Sequence, residues 1–259
     1  MKFIQFTVDH DSSVKKGIIS SEGVKEISGN IFTSWDYTGD IFKENQIKVT
    51  SPLEPNQVIG IGANFVKEPE DLPAPPEMPV FFFKPTSSVI GPNEDIVIPE
   101  DLDSVKFESE IAVVIGKNAK NIQEDEVADY IFGYTIGNDV TAPQYFHSDG
   151  HWMLGKAFDT FTPLGPAIET DFDLAKTRIK AYHNEEKKQD SNVDVMIVSI
   201  NKMISYLSRV LTLKAGDVIL TGSPVGAEFL QEEDTIECEV EGIGRLRNQV
   251  VKERKKVSL

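Results

Sequence analysis

Cysteine is almost absent from this chain. Cys238 is the only one in 259 residues, so no internal disulfide can form. With only four histidines besides, a Cys/His zinc cluster is equally ill-served. A cytoplasmic location follows as an expectation. No apolar run approaches the roughly 18 residues that suggest a membrane helix. The opening MKFIQFTVDHD turns acidic too early for a secretory h-region. Positive charge is the third scarcity: 26 Lys and Arg stand against 42 Asp and Glu, a net charge of −16. That balance repels phosphate backbones and argues against non-specific nucleic-acid binding, although a locally positive pocket can still take a small anion. What remains is an ordinary globular composition, 40% hydrophobic and 26% charged, long enough for one large domain or one plus a small one.

Short strand candidates dominate. Residues 1–50 form a β-rich unit in which KFIQFTV, KKGIIS and VKEIS are strands, while the polar, Gly-interrupted SWDYTGDIFKEN is expected to be a loop with a short helix. From Pro52 the texture changes to apolar strands: QVIGIGA (57–63), VFFFKP (80–85), DIVIP (95–99) and EIAVVIG (110–116). Two helices are expected. One lies around Gln123–Tyr130, with acidic residues in its first turn. The other spans Ser199–Leu211, with Ser199 as N-cap and Ile200, Met203, Ile204, Leu207 and Leu211 on one core-facing side. The segment 64–79 carries five prolines, which block regular helix. It is either a lid over a site or a surface insertion.

Glu108 and Glu110 open the run FESEIAVVIG. In a strand they point to the same side, and the strand that follows is apolar on both faces, hence buried. Two like charges at a buried strand end need a neutralising partner. Either a divalent cation supplies it, with Asp139 at the end of YIFGYTIGND as a third oxygen, or the pair sits on a solvated edge. An all-carboxylate set suits Mg²⁺, Mn²⁺ or Ca²⁺ better than Zn²⁺ or Cu²⁺. Lys84, after VFFF, and Lys156, in LGKAFDTF, either snorkel to solvent or point into a pocket. The turn Thr221-Gly222-Ser223-Pro224 follows the strand DVIL, and its N–H groups and hydroxyls can hold an anion. Other motifs fail: GIGANF lacks the third glycine and following helix of a dinucleotide loop, and GSPVG has the wrong spacing for a serine-hydrolase elbow. His147 and His151 are more often solvated surface groups than ligands.

With these pieces in place, the chain resembles the fumarylacetoacetate hydrolase family from about Pro52 to Val251. The resemblance is carried by VIGIGANF, VFFFKPTSSVIGP, DSVKFESEIAVVIGKNAKNI, YIFGYTIGNDVTA, WMLGKAFDTFTPLGPAI, YLSRVLTLKAGDVILTGSPVG and VEGIGRLRNQVV. It implies a mostly β, fumarylacetoacetase-like roll (52–259) behind a small N-terminal β domain (1–51), commonly homodimeric. It implies Mg²⁺ or Mn²⁺ held by Glu108, Glu110 and Asp139, lysines Lys84 and Lys156 at the substrate, and Thr221 and Gly222 on the substrate carboxylate. Implied substrates are small 2-oxo or 1,3-dicarbonyl acids. The reactions are hydrolytic C–C cleavage, decarboxylation and isomerisation.

The sequence also departs from that family. Hydrolytic members carry a lid helix of the form G-x-N-Y-x-x-H-x-x-E. Here GANFVKEPED places Glu68 at the His position and Asp71 at the Glu position, with Pro69 between them. Where relatives read S-A-R-D-x-Q after the metal Asp, this chain has TAPQYFH, with Pro143 at the Arg position and Phe146 at the Gln position. Gln144 or His147 can substitute only after a local shift. The expectation is C–C hydrolysis first, with Glu68 or Asp71 as the base for water and Lys156 balancing enolate charge. Decarboxylase or isomerase activity follows, since neither needs the missing dyad. A non-catalytic relative that binds metal and keto acid is the alternative of a different class.

Overall fold

The computed structural model describes residues 1–9 and 11–254; the last five residues of the expected catalytic domain, 255–259, lie outside them. The protein is mostly β, with one long and one single-turn α-helix and several 3₁₀ turns among the described residues. Its largest sheet has twelve strands. At its centre, Ser109–Ile115 pairs antiparallel with Ile131–Asn138 on one side and with Val218–Leu220 on the other. Val58–Ile61 and then Phe81–Lys84 complete that flank. On the other flank, Thr162–Glu169 joins Ile131–Asn138 to the first strand, Lys2–Val8, through Lys2↔Glu169 and Phe3↔Ile168. The N-terminal strands therefore continue the same sheet.

Every residue of Ser109–Ile115 is buried, as expected of a strand apolar on both faces. Its two faces have different neighbours. Ala112 and Val114 pack with Phe3, Leu164, Ile168 and Leu220. On the opposite face, Ile111 packs with residues of a five-stranded sheet such as Ile179, Cys238 and Leu246, and Val113 and Ile115 pack under a helix. That helix is Ile200–Val210. The Ser199 hydroxyl caps it by accepting from Lys202 N at 3.2 Å, and Ile200, Met203, Ile204 and Leu207 are buried as the spacing predicts. The expected helix near Gln123 is a 3₁₀ helix, Glu124–Tyr130, with Glu126 accepting from Gln123 N at 2.7 Å.

One expectation fails. SWDYTGDIF is a strand, Ser34–Phe42, with only a single 3₁₀ turn at Glu44–Gln46 after it. It pairs with Gly23–Asn30, and the register shifts between Lys25 and Ile27. Gly39 adopts φ +101° in that stretch, a conformation open to glycine. The strand forms the sheet edge, and polar sequence is what an exposed edge carries.

Candidate active site

The antiparallel register places Ser109 opposite Asn138 and Glu110 opposite Gly137. Glu108 and Glu110 thereby meet Asp139 where two neighbouring strands end. Two further bonds fix this corner. Asp139 N donates to the Glu108 carbonyl at 2.9 Å, and Glu108 N donates to Asn138 Oδ1 at 2.9 Å. One oxygen from each of Glu108, Glu110 and Asp139 lies within 4.8 Å of the others.

Both lysines reach this cluster. Lys84 ends the strand Phe81–Lys84, and Lys156 ends the single helical turn Met153–Lys156. Lys156 Nζ donates to Glu108 Oε2 at 2.7 Å and to Asp139 Oδ2. Lys84 Nζ donates to Asp139 Oδ1 at 2.7 Å, to the Lys156 carbonyl at 2.7 Å and to the Val140 carbonyl at 3.3 Å. All three ammonium protons of Lys84 are thus committed inside the protein, and its side chain is fully enclosed. Lys84 does not line the cleft as the resemblance suggested. It stands behind Asp139.

Charge and burial divide the three carboxylates. Burial, reinforced by Asp139 and Glu108, pushes the Glu110 carboxyl well above its usual range. Burial also raises Glu108, against the opposing pull of Lys156. Burial pulls Asp139 upward too, but Lys156 and Lys84 together outweigh it and hold Asp139 below the ordinary aspartate value. Lys84 is lowered by burial. Lys156 keeps its proton more tightly than an ordinary lysine, because Asp139 and Glu108 more than offset its burial. Lys84 and Lys156 are both spent on Asp139 and Glu108, so no ammonium pairs with Glu110 among the described residues.

This donor set fits a hard divalent cation. It offers oxygen only, and two oxygens that each lie 2.0–2.6 Å from one ion are at most about 4–5 Å apart, which matches the cluster. Glu110 adds a second indication. It is buried, its only donor among the described residues is Gly222 N, 2.6 Å from Oε2, and no lysine pairs with it.

A cleft of about 310 Å³ opens over the cluster, lined by Glu108, Glu110 and Lys156 at its charged end. Phe146 and Trp152, stacked with centroids 5.9 Å apart, make an apolar wall. Gly62 explains part of GIGANF: a Cβ there would lie 2.0 Å from Trp152 Cζ3, so only glycine admits the indole.

The turn after Val218–Leu220 has most of its donors paired within the protein. Thr221 is buried, and its hydroxyl donates to the Ile111 carbonyl at 2.9 Å. Gly222 N is taken by Glu110. Neither faces the cleft; Ser223 does. Gln189 Nε2 donates to Ser223 Oγ at 2.9 Å and to the Pro224 carbonyl at 2.5 Å, while Gln189 Oε1 accepts from Ser109 N at 3.2 Å. The Ser223 hydroxyl donates to no acceptor among the described residues.

Glu68 and Asp71 are exposed on a single 3₁₀ turn, Pro69–Asp71, and neither lines the cleft. Pro143 begins another 3₁₀ turn, and Gln144 Nε2 donates to the Ser104 carbonyl at 3.2 Å, away from the carboxylates. His147 is exposed and paired with Asp149 at 3.3 Å, consistent with a surface group. Sequence reasoning also passed over Asn64. It is buried, with Nδ2 on the Val198 carbonyl at 3.1 Å and the Thr221 carbonyl at 2.8 Å, and with Oδ1 accepting from Val198 N at 2.8 Å. Its signals were a polar residue three places after the apolar strand Val58–Ile61 and its match to the N of G-x-N-Y.

Residues 57–251 match the fumarylacetoacetate (FAA) hydrolase C-terminal family, and the chain belongs to that family. Its relatives include tautomerases, isomerases and hydrolases. The oxaloacetate tautomerase fahd2, mitochondrial, of Xenopus laevis is 37% identical over 231 residues, covering 83% of this chain and 72% of that protein. An uncharacterized protein of Archaeoglobus fulgidus is 41% identical over 232 residues, covering 89% of this chain and 92% of its own. The crystal structure of 5-carboxymethyl-2-hydroxymuconate delta-isomerase from Mycobacterium smegmatis superposes with a TM-score of 0.91 at 36% identity, covering 98% of this chain and all of that one. The mostly β fold is thus that of family enzymes. No helix among the described residues is long and apolar enough to cross a membrane.

Proposed function

We propose that this protein is a divalent-metal-dependent tautomerase or isomerase of a small 2-oxo acid, working with Mg²⁺ or Mn²⁺ as a cytoplasmic homodimer. One observation carries the choice of reaction. The cleft is lined by Glu108, Glu110 and Lys156 over a cluster that buried Asp139 completes, but the residues expected to activate water, Glu68 and Asp71, do not line it. Moving a proton between a carbon and an oxygen needs a stabilised enolate and groups that take a proton from one atom and give one to the other, not an attacking water. Glu108, Glu110 and Asp139 would hold the cation, which when bound supplies Lewis acidity toward the 2-oxo carbonyl.

The chain's own groups do the rest. Lys156 Nζ, 2.7 Å from Glu108 Oε2, keeps a proton and a positive charge beside the place where enolate charge grows. Lys84 fixes Asp139 from behind. The Ser223 hydroxyl, oriented by Gln189, is free to donate to the substrate carboxylate. Phe146 and Trp152 limit water on the opposite wall.

The relatives named as an oxaloacetate tautomerase and a hydroxymuconate isomerase support the same class. C–C hydrolysis stands second. The segment 64–79 carries Glu68, Glu70 and Asp71 exposed to solvent, and it is bridged to the protein at its start through Phe65 and Val66. Movement of that segment would bring a carboxylate to the cleft.

A product assay with acetylpyruvate, fumarylpyruvate and enol-oxaloacetate, with metal and with chelator, decides between them. Metal-dependent loss of the enol at unchanged mass supports the proposal. Pyruvate plus a second acid makes the enzyme a hydrolase, and carbon dioxide above the uncatalysed rate a decarboxylase. Ligand binding without any turnover marks a non-catalytic relative.

A further inference from the structure

Lys106 is the charged residue of the cleft lining that the roles above leave unused. It belongs to the run Lys106-Phe107-Glu108-Ser109-Glu110. Phe107 and Ser109 are fully buried, Phe107 in the core shared with the five-stranded sheet and Ser109 with its hydroxyl on the Lys180 carbonyl. Alternation turns Lys106, Glu108 and Glu110 to the other side, and all three line the cleft. Along that side the order is cation, carboxylate, carboxylate, with backbone steps of about 6.6 Å.

Lys106 and Lys156 are held differently. The Lys156 side chain is 6% exposed and clamped by two carboxylates. The Lys106 side chain is 34% exposed, and its nearest carboxylate oxygen, Glu108 Oε1, is 3.6 Å away, beyond hydrogen-bonding length. Among the described residues its ammonium donates no hydrogen bond. Its backbone, by contrast, is fixed: Lys106 N donates to the Thr141 carbonyl at 2.7 Å, Thr141 N returns a bond to the Lys106 carbonyl at 2.9 Å, and Lys106 pairs with Phe229 across a two-stranded ladder. A cation with open donors thus stands on a rigid base at one end of the carboxylate row. The Phe146–Trp152 wall offers no charge to compete with it.

We propose that Lys106 determines specificity by binding the second carboxylate of a short-chain 2-oxo dicarboxylate, whose 2-oxo acid end lies at Glu108, Glu110, Asp139 and Lys156. The inference rests on the 2-oxo-acid reading and adds the requirement for a second carboxylate. A lysine serving only to neutralise Glu108 would close to hydrogen-bonding distance, as Lys156 does.

The test is calorimetric titration of the Mg²⁺-loaded protein with 2-oxoglutarate and with 2-oxopentanoate, its match in chain length without the second carboxylate. The wild type should prefer 2-oxoglutarate. In Lys106→Gln that preference should shrink roughly ten- to a hundredfold, the worth of a hydrogen bond between charged groups, and Lys106→Arg should restore most of it. Equal weakening of both ligands in Lys106→Gln would overturn the proposal, because Lys106 would then act through Glu108 and the cation. Absence of any preference in the wild type, or of any binding, would overturn it too. Binding needs no turnover, so a charge-dependent preference without product formation would refute the proposed reaction while leaving the role of Lys106 intact.

Discussion

Replacing Lys84 with methionine isolates what a buried ammonium does at this site. The change keeps an unbranched side chain and removes three hydrogen bonds, to Asp139 Oδ1, the Lys156 carbonyl and the Val140 carbonyl. Both partners of the Lys84–Asp139 pair are sealed from water. Breaking such a pair from one side costs about 3–5 kcal/mol, because the remaining charge stays buried. Lys156 still neutralises part of Asp139, so the lower end, about 3 kcal/mol, applies. At roughly 2–4 °C per kcal/mol for a chain of this size, the metal-free Tm should fall by about 6–12 °C. The variant removes an ammonium from beside Asp139, so a cation gains affinity as the fold loses stability. Thermal melts with chelator and with saturating Mg²⁺ read both effects, since saturation at a hundred times Kd adds about 2.7 kcal/mol. The gap between variant and wild type should narrow with Mg²⁺. A Tm within about 2 °C of wild type with chelator, or a gap that Mg²⁺ leaves unchanged, would show that the Lys84 ammonium does not hold Asp139 in this way.

Three further outcomes follow from the same geometry. Burial, with Asp139 and Glu108, raises the Glu110 carboxyl well above 4.5 in the folded state, so the native protein binds this proton more tightly than the unfolded chain. Its stabilising contribution in the metal-free protein is complete below pH 4.5 and is lost as pH rises through the folded value; Mg²⁺ affinity should climb over the same window, and Glu110→Gln should flatten both trends in melts and titrations across pH. Asn64→Ala strands the Val198 amide and two carbonyls and should cost about 2–4 kcal/mol in urea unfolding; a loss below about 1 kcal/mol would contradict its role as a clamp. Gly62→Ala puts a methyl where Trp152 sits, so the emission of that indole should shift and KM should rise, and an unchanged spectrum would contradict the packing described.

Much of the carboxylate cluster was legible because it obeys local rules. Glu108 and Glu110 stand two apart at the head of a strand, and Asp139 ends the neighbouring strand, so period-two alternation and antiparallel pairing bring them together. The same alternation points to Lys106, yet a lysine two residues before a charged pair looks like ordinary surface. Lys84 and Lys156 were found, but not which of them reaches the cleft. Which lysine is enclosed depends on the Lys156 carbonyl and on Asp139, far along the chain. The bonds made by Thr221 and Gly222 were hidden for a similar reason. Their donors are spent on Ile111 and Glu110, 110 and 112 residues away, and no local pattern records that. Asn64 and Gln189 act across 134 and 80 residues. The strand Ser34–Phe42 was hidden by its own chemistry, since a sheet edge carries the polar residues and glycine that also mark loops.

Glu108, Glu110 and Asp139 are proposed as a cation site on which tautomerisation depends. Titration of the chelator-treated protein with Mn²⁺, followed by paramagnetic resonance, tests it most directly when the enol-to-keto rate of oxaloacetate is read on the same samples. One tight site per chain is expected, its filling tracking the rate, with loss of both in the Glu108→Gln, Glu110→Gln double variant. A double variant that still binds Mn²⁺ with wild-type affinity, or a wild-type rate indifferent to Mn²⁺ occupancy, would contradict it.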